Sequence, residues 1–282
     1  MRRPLAILLI LLMISGCASD KKNSSSIETG VSVRPPLSKS MAEEVAIGEQ
    51  INAEIMSSFY PYTEPKVVNY LNKIGENLAS HARRKIPYRF TLLYSEKIYA
   101  TSAPGGFIYL TTGMISFLEN EAELAAVMAH EIGELQFQDP KLSSSRKVLA
   151  AVTKGGGLVA PAFGGIGMLA LLGLVGVNMA VNKKELSAEQ KLSKADTLAL
   201  HYMVDSGYDP QGMIDFLYKF LSSNNEVIPY FFDYAKSRPI TEERFHSLQK
   251  EFLKLPLQEK TLSVNRKEYK EMIAGVAEIY QR

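Results

Sequence analysis

The sequence predicts an α+β fold that is mainly helical, with a small antiparallel sheet and one central helix. Apolar residues recur at helical spacing on both sides of residues 89–111, whereas that region holds three short runs rich in β-branched and aromatic residues. With 282 residues, 46% of them hydrophobic, the chain is long enough for one large domain or two small ones. The net charge is +2 and the basic residues are dispersed, so we expect no nucleic-acid partner.

The beginning of the chain has the pattern of a secretion signal. Residues 1–3 carry two arginines, residues 5–14 are apolar, and small residues precede Cys17. This resembles a bacterial lipobox, which predicts a signal over 1–17, with the first sixteen residues removed and lipid attached to Cys17. The alternative is a plain membrane helix with an incidental cysteine, for which the apolar run is short. With Ala18 next, we expect a protein anchored by lipid in the outer membrane of the bacterial cell envelope, facing the periplasm.

Composition divides the remaining chain. Residues 18–40 are polar and interrupted by prolines, which predicts a flexible tether. We expect the domain to cover residues 41–255 and a C-terminal helical tail to cover 256–282. Within the domain, the glycine-rich apolar insertion 155–182 has no charged residue. It could be a buried or hairpin-like insertion, a segment that touches membrane, or a spanning helix.

Helices are predicted from helical spacing together with capping residues. Ser40 opens the first helix, Asn120 caps the central one and Thr241 caps a later one. In chain order, we expect helices near 40–58, 65–82, 121–135, 188–206, 210–220, 241–254 and 266–280. The candidate strands cover 89–94, 98–101 and 107–111, and the sequence Pro-Gly-Gly at 104–106 predicts a turn before the last of them.

The central helix carries most of a zinc-peptidase signature. In His-Glu-x-x-His, the histidines lie four residues apart, so that one helical face offers both nitrogens to Zn²⁺, and the first Glu is the general base. Here His130 and Glu131 are followed by Glu134 in place of the second histidine. Because a carboxylate can bind zinc, His130 and Glu134 are the candidate ligands of a weak metal site, with Glu131 as the candidate catalytic base. His130 could instead be a core histidine, and Glu131 an acid on the helix surface.

Further motifs surround this helix in a recognisable order. The segment 103–113 comes first, then 119–127 leads into His130, and the later pieces 206–210 and 238–244 follow. Together they resemble the gluzincin metallopeptidase family of the CAAX prenyl protease and of the periplasmic quality-control proteases of bacteria. The resemblance covers about residues 41–255. It implies a zincin-like metallopeptidase domain, zinc as cofactor, and a polypeptide substrate or client protein.

The residues that the resemblance assigns to the zinc site depart from the family pattern. The third zinc ligand falls on Leu192, which cannot bind a metal, and Arg238 stands where the family has a histidine. Asp196 matches the residue that orients the first histidine. Two side chains are possible substitutes in the site. Glu189 lies one helical turn before Leu192 and could reach inward, and the guanidinium of Arg238 could pair with a carboxylate in place of zinc.

Two functions follow from this pattern. The first is a pseudoprotease that keeps the fold and binds unfolded or partner polypeptides by strand addition. The second is a zinc-dependent metalloendopeptidase with a His-Glu-x-x-Glu site, working in envelope protein quality control, in which Glu131 activates the water. Leu192 favours the first, because it removes a ligand outright. A third possibility is that the glycine-rich insertion contacts membrane. The strand expected to form the peptide-binding edge consists of Phe107, Ile108, Tyr109, Leu110 and Thr111.

Overall fold

The computed structural model describes residues 38–137, 186–222, 238–257 and 261–278. The predicted signal with Cys17, nearly all of the predicted tether and the glycine-rich insertion 155–182 lie outside the described residues. Within the described ranges, no helix combines the length and the apolar character needed to cross a membrane.

The predicted helices and strands follow one another in the expected order, and a short helix over Thr112–Phe117 was not predicted. Capping side chains begin several of the helices: the Asn120 side chain accepts a hydrogen bond from the Glu123 amide, and Thr241 accepts one from the Arg244 amide. The first helix starts earlier than predicted, because Ser38 rather than Ser40 caps it. The helices are α1 (Lys39–Ser58), α2 (Pro65–Ser80), α3 (Thr112–Phe117), α4 (Glu121–Leu135), α5 (Ala188–Asp205), α6 (Gln211–Ser222), α7 (Glu242–Phe252) and α8 (Arg266–Ala277). The strands are β1 (Arg89–Leu93), β2 (Ala100–Ala103) and β3 (Phe107–Thr111).

The three described strands form one mixed sheet in the order β1-β3-β2. β2 and β3 are antiparallel and are joined by the 3-10 turn Pro104–Gly106, in which Gly105 and Gly106 have φ values of 80° and 94°. β1 and β3 are parallel. The α+β, mainly helical fold class is confirmed, but the prediction of a wholly antiparallel sheet was wrong. The chain reverses twice between β1 and β3, so these two strands run in the same direction.

The central position of β3 corrects a second expectation. β3 was expected to be the peptide-binding edge, yet it pairs with β1 on one side and with β2 on the other. The outer strands of the described sheet are therefore β1 and β2. All five residues of β3 are buried, as is usual for a strand covered on both faces.

The sheet separates two apolar cores. On one face, alternate β3 residues Ile108 and Leu110 join the main core, to which α4 contributes Leu124, Val127 and Met128. On the other face, Phe107 and Tyr109 pack against α1, whose buried residues there are Ile47, Ile51 and Ile55. The main core therefore encloses the helix α4. This helix contacts α2, α5, α6 and β2, which agrees with the central position predicted for it.

The C-terminal helix α8 belongs to the main core. Tyr269, Ile273 and Val276 are buried there, and the Tyr269 hydroxyl donates to the Ile115 carbonyl oxygen. The segment 256–282 was predicted to be a helical tail. Its described helix packs into the main core of the domain.

Candidate functional site

The helix α4 brings three potential ligand side chains together. One ligand atom from each of His130, Glu131 and Glu134 lies within 4.8 Å of the others. His130 and Glu131 are fully enclosed, with 1% and 0% of their surface exposed, whereas Glu134 is half-buried. The spacing of the first and last residue places both on one face of the helix, as the sequence predicted.

Close packing of α4 against α5 adds Asp196 to this group. A Cβ atom on Gly133 would lie 2.7 Å from the carbonyl oxygen of Ala195, so the two backbones approach more closely than any larger residue allows. The next residue, Asp196, then lies beside His130, with 2.7 Å between a carboxylate oxygen and Nδ1. On the other side of the ring, Nε2 lies 3.4 Å from a carboxylate oxygen of Glu134.

Arg238 lies between the two glutamates. Its Nη2 donates to Oε2 of Glu131 at 2.8 Å and to Oε2 of Glu134 at 2.7 Å. Its Nη1 donates to the carbonyl oxygen of Ala100 on β2 at 3.2 Å. The contact hypothesised between Arg238 and Glu134 is therefore present. Arg238 also contacts the candidate base Glu131 and the outer strand β2.

Arg244, which the sequence analysis did not single out, fixes the far end of the site. Its Nε and Nη2 donate to the two oxygens of Asp196 at 2.7 and 2.9 Å. Its Nη1 donates to the backbone carbonyl oxygens of Arg238 and Pro239 at 3.4 and 3.1 Å. One sequence signal was available: a cation in the first turn of α7, where the helix dipole favours acids, needs a specific partner.

The histidine and aspartate of this site have opposite pKa shifts. Burial opposes the charged form of His130, but Asp196 and then Glu134 outweigh it and raise the pKa of His130 to about 9. Burial likewise opposes the ionised form of Asp196, but Arg244 and then His130 lower its pKa to about 2. Both groups are therefore charged at neutral pH.

The two glutamates respond differently to the same guanidinium. Burial dominates for Glu131 and raises its pKa, although Arg238 opposes this. For Glu134, burial is outweighed by Arg238 and by His130, which hold its pKa well below the usual range. The side chains thus alternate in sign along one connected path, which runs Arg244, Asp196, His130, Glu134, Arg238 and Glu131.

The remaining candidates do not join the group. Leu192, at the position of a third ligand, is half-buried on α5 four residues before Asp196. Glu189 is exposed in the first turn of α5 and is not among the described residues that could hold a metal. The prediction that Glu189 reaches the site was wrong. It lies seven residues before Asp196, which is about 10 Å along a helix.

The arrangement does not fit a catalytic zinc ion. Such an ion needs three protein ligands at about 2.0–2.2 Å and an open position for water. One oxygen of Glu131 and one of Glu134 already accept hydrogen bonds from Arg238, and Leu192 offers no ligand atom. His130 faces Asp196 with one nitrogen and Glu134 with the other. The residues form an internally neutralised ion-pair network rather than an open ligand set.

Comparisons with known proteins agree with the motif order. Residues 65–252 match the family model described as Peptidase family M48. The chain is 30% identical over 191 residues to the beta-barrel assembly-enhancing protease of Escherichia coli (strain K12), which covers 64% of this chain and 38% of that protein. It is 29% identical over 195 residues to the protein of the same name from Yersinia pestis, covering 67% and 40% of the two chains. The chain thus spans about two fifths of the length of these relatives.

Proposed function

The chain belongs to Peptidase family M48, and we propose that it is a member that binds polypeptides without cleaving them. The family consists of zinc metallopeptidases, whose substrates are polypeptides. The relatives named above are called proteases that enhance β-barrel assembly, and by analogy we infer that this chain acts on unfolded or partner proteins of the bacterial envelope.

We also infer that Cys17 carries the lipid anchor. A labelled fatty acid should be incorporated by the wild-type protein but not by Cys17→Ser.

The contact between Glu131 and Arg238 carries the proposal. A general base must accept a proton from the attacking water. Oε2 of Glu131 instead accepts a hydrogen bond from the guanidinium at 2.8 Å, and the Ser102 hydroxyl on β2 is a further influence that lowers the pKa of Glu131. The oxygen held in this way is a poor partner for water. The fully buried ion pair supports a structural role for this side chain.

Polypeptide binding would use the outer edge of β2. The Tyr99 carbonyl oxygen accepts from the Thr111 amide, so alternate residues of this strand direct their backbone groups toward β3. Ala100 and Ser102 then direct theirs away from the sheet. The carbonyl oxygen of Ala100 is bound by Arg238, and within the described residues no partner is seen for the amide and carbonyl of Ser102, which would pair with an added strand.

Cleavage is tested with an unfolded polypeptide, zinc in excess, and the wild-type protein beside Glu131→Gln. We expect the two proteins to leave the polypeptide equally intact. Rapid cleavage by the wild type that is lost in Glu131→Gln would refute the proposal.

Binding is tested separately by fluorescence anisotropy with a labelled extended peptide. Ser102→Pro removes one outward donor, and proline is tolerated at such a position of an edge strand. We expect binding to weaken roughly fivefold to tenfold, as for the loss of one hydrogen bond. The same peptide with alternate amides methylated is the matched ligand control and should also bind weakly. Equal affinity of Ser102→Pro and wild type would exclude β2 as the binding edge.

An active metalloendopeptidase is the second candidate. The close approach of ligand atoms from His130, Glu131 and Glu134 favours it, because these could gather around an ion if Arg238 moved away. This candidate predicts stoichiometric zinc in the purified protein together with cleavage that depends on Glu131. A protein that holds no zinc at neutral pH would exclude it.

A further inference from the structure

We propose that Arg238 is an internal replacement for the metal ion, so that its guanidinium and Zn²⁺ compete for the carboxylates of Glu131 and Glu134. This inference rests on the proposed function, because it gives a physical reason why cleavage would be absent. It goes further in assigning the exclusion of zinc to a residue that is present, in addition to the ligand missing at Leu192.

The position of one guanidinium nitrogen is the first support. Nη2 lies 2.7 and 2.8 Å from carboxylate oxygens of two residues three apart on α4. A zinc ion shared by those oxygens would have to lie about 2.0–2.2 Å from each. On the side of those oxygens that faces Arg238, that point falls within the space that Nη2 occupies. Arg238 must therefore withdraw before a metal ion can bind these two oxygens from that side.

The attachment of Arg238 to its surroundings is the second support. Its side chain is 6% exposed, and its Nη1 also binds the Ala100 carbonyl oxygen. Its own backbone carbonyl oxygen, and that of Pro239, accept hydrogen bonds from Arg244. The guanidinium is thus held both through its side-chain contacts and through the backbone that carries it. Withdrawal would break several buried hydrogen bonds at once.

The charge balance is the third support. Arg238 already supplies the positive charge that pairs with both Glu131 and Glu134. Adding a divalent cation while Arg238 remains would place two cationic groups against the same two carboxylates in a buried site. Such burial is strongly unfavourable. Exchanging Arg238 for the ion removes the second cation, and an added glutamate supplies the missing ligand.

The test restores the missing ligand with and without the arginine. Zinc binding is measured by isothermal titration calorimetry and by metal analysis of wild type, Leu192→Glu, Arg238→Met, and the double variant. We expect wild type and Leu192→Glu to bind no zinc at this site. The double variant should bind one equivalent, at least roughly 100-fold more tightly than Leu192→Glu, because the buried competing cation is gone. Arg238→Met alone should bind weakly, since it still lacks a third ligand.

A matched control removes an arginine elsewhere. Arg266 is 60% exposed and pairs with Glu119 at the surface, so Leu192→Glu with Arg266→Ala should bind no zinc. If Arg238→Met fails to fold, Arg238→Gln is the second variant, with the same expected gain. Equal affinity of Leu192→Glu and the double variant would overturn the inference while leaving the absence of cleavage intact. Cleavage by a zinc-free wild type would refute the proposed function and leave this inference standing.

Discussion

His130 should keep its proton well above neutral pH, and the stability of the fold should depend on that proton. Asp196 and Glu134 raise the pKa of His130 to about 9 against burial, whereas the ordinary value is 6.5. The raised pKa stabilises the folded state fully below pH 6.5, and this stabilisation is lost as the pH rises toward 9. The difference corresponds to about 3 kcal/mol. Glu131 acts in the same direction, because burial raises its pKa and its ionisation at rising pH also lowers stability.

Two measurements check this prediction. Titration of the imidazole signals by NMR gives the pKa of His130, and denaturant unfolding across the same pH range gives the free energy of unfolding. Asp196→Asn should move the His130 pKa below 6.5 and flatten the pH dependence of stability, since burial then dominates. Glu189→Gln, which changes an exposed acid on the same helix, is the matched control and should leave both unchanged. A wild-type His130 that titrates at or below 6.5 would contradict the ion-pair network described here.

Two other substitutions probe the packing that holds the site. Arg244→Lys keeps the charge but loses the paired donors to Asp196. Denaturant unfolding should show that the free energy of unfolding falls by about 1–3 kcal/mol. An unchanged value would mean that the second donor contributes nothing. Gly133→Ala puts a methyl carbon 2.7 Å from the Ala195 carbonyl oxygen and should cost about 1–3 kcal/mol. A Cβ atom on Gly275, which is also helical, would meet nothing within 4 Å in the described part of the chain. Gly275→Ala should therefore raise the free energy of unfolding by up to about 1 kcal/mol. If Gly133→Ala proved the more stable of the two variants, the packing argument would be refuted.

Local features of the sequence were enough to predict seven of the eight described helices, but not the short helix α3. Asn120 and Thr241 cap helices by hydrogen bonds to amides three residues later, which depends only on neighbouring residues. The start of α1 was less certain locally, because Ser38 and Ser40 are both suitable caps. Strand direction was beyond local prediction. It depends on the path that the chain takes between strands, and so the position of β3 at the centre of the sheet was missed.

The site was predictable to the extent that it lies on one helix. His130, Glu131 and Glu134 meet because of helical spacing alone. Asp196 lies beside His130 because α4 packs against α5. The family resemblance implied this packing, but the spacing of residues in the sequence could not predict it. The double contact of Arg238 was hypothesised only in part, since its bond to Glu131 follows from tertiary structure. The role of Arg244 was missed because it joins side chain and backbone groups that are far apart in sequence.

The attachment of α1 has a mechanical consequence. The buried carboxylate of Glu44 accepts from the Gly105 amide at 3.1 Å and pairs with Arg84, and a Cβ atom on Gly48 would lie 2.0 Å from the Pro104 carbonyl oxygen. α1 is therefore attached to the turn that joins β2 and β3 by this hydrogen bond and by the close approach of the two backbones. A pulling force applied at residue 38 would load this turn before it reached α4. In a single-molecule stretching experiment from that end, the detachment of α1 should be the first event, at a lower force than the rupture of the main core.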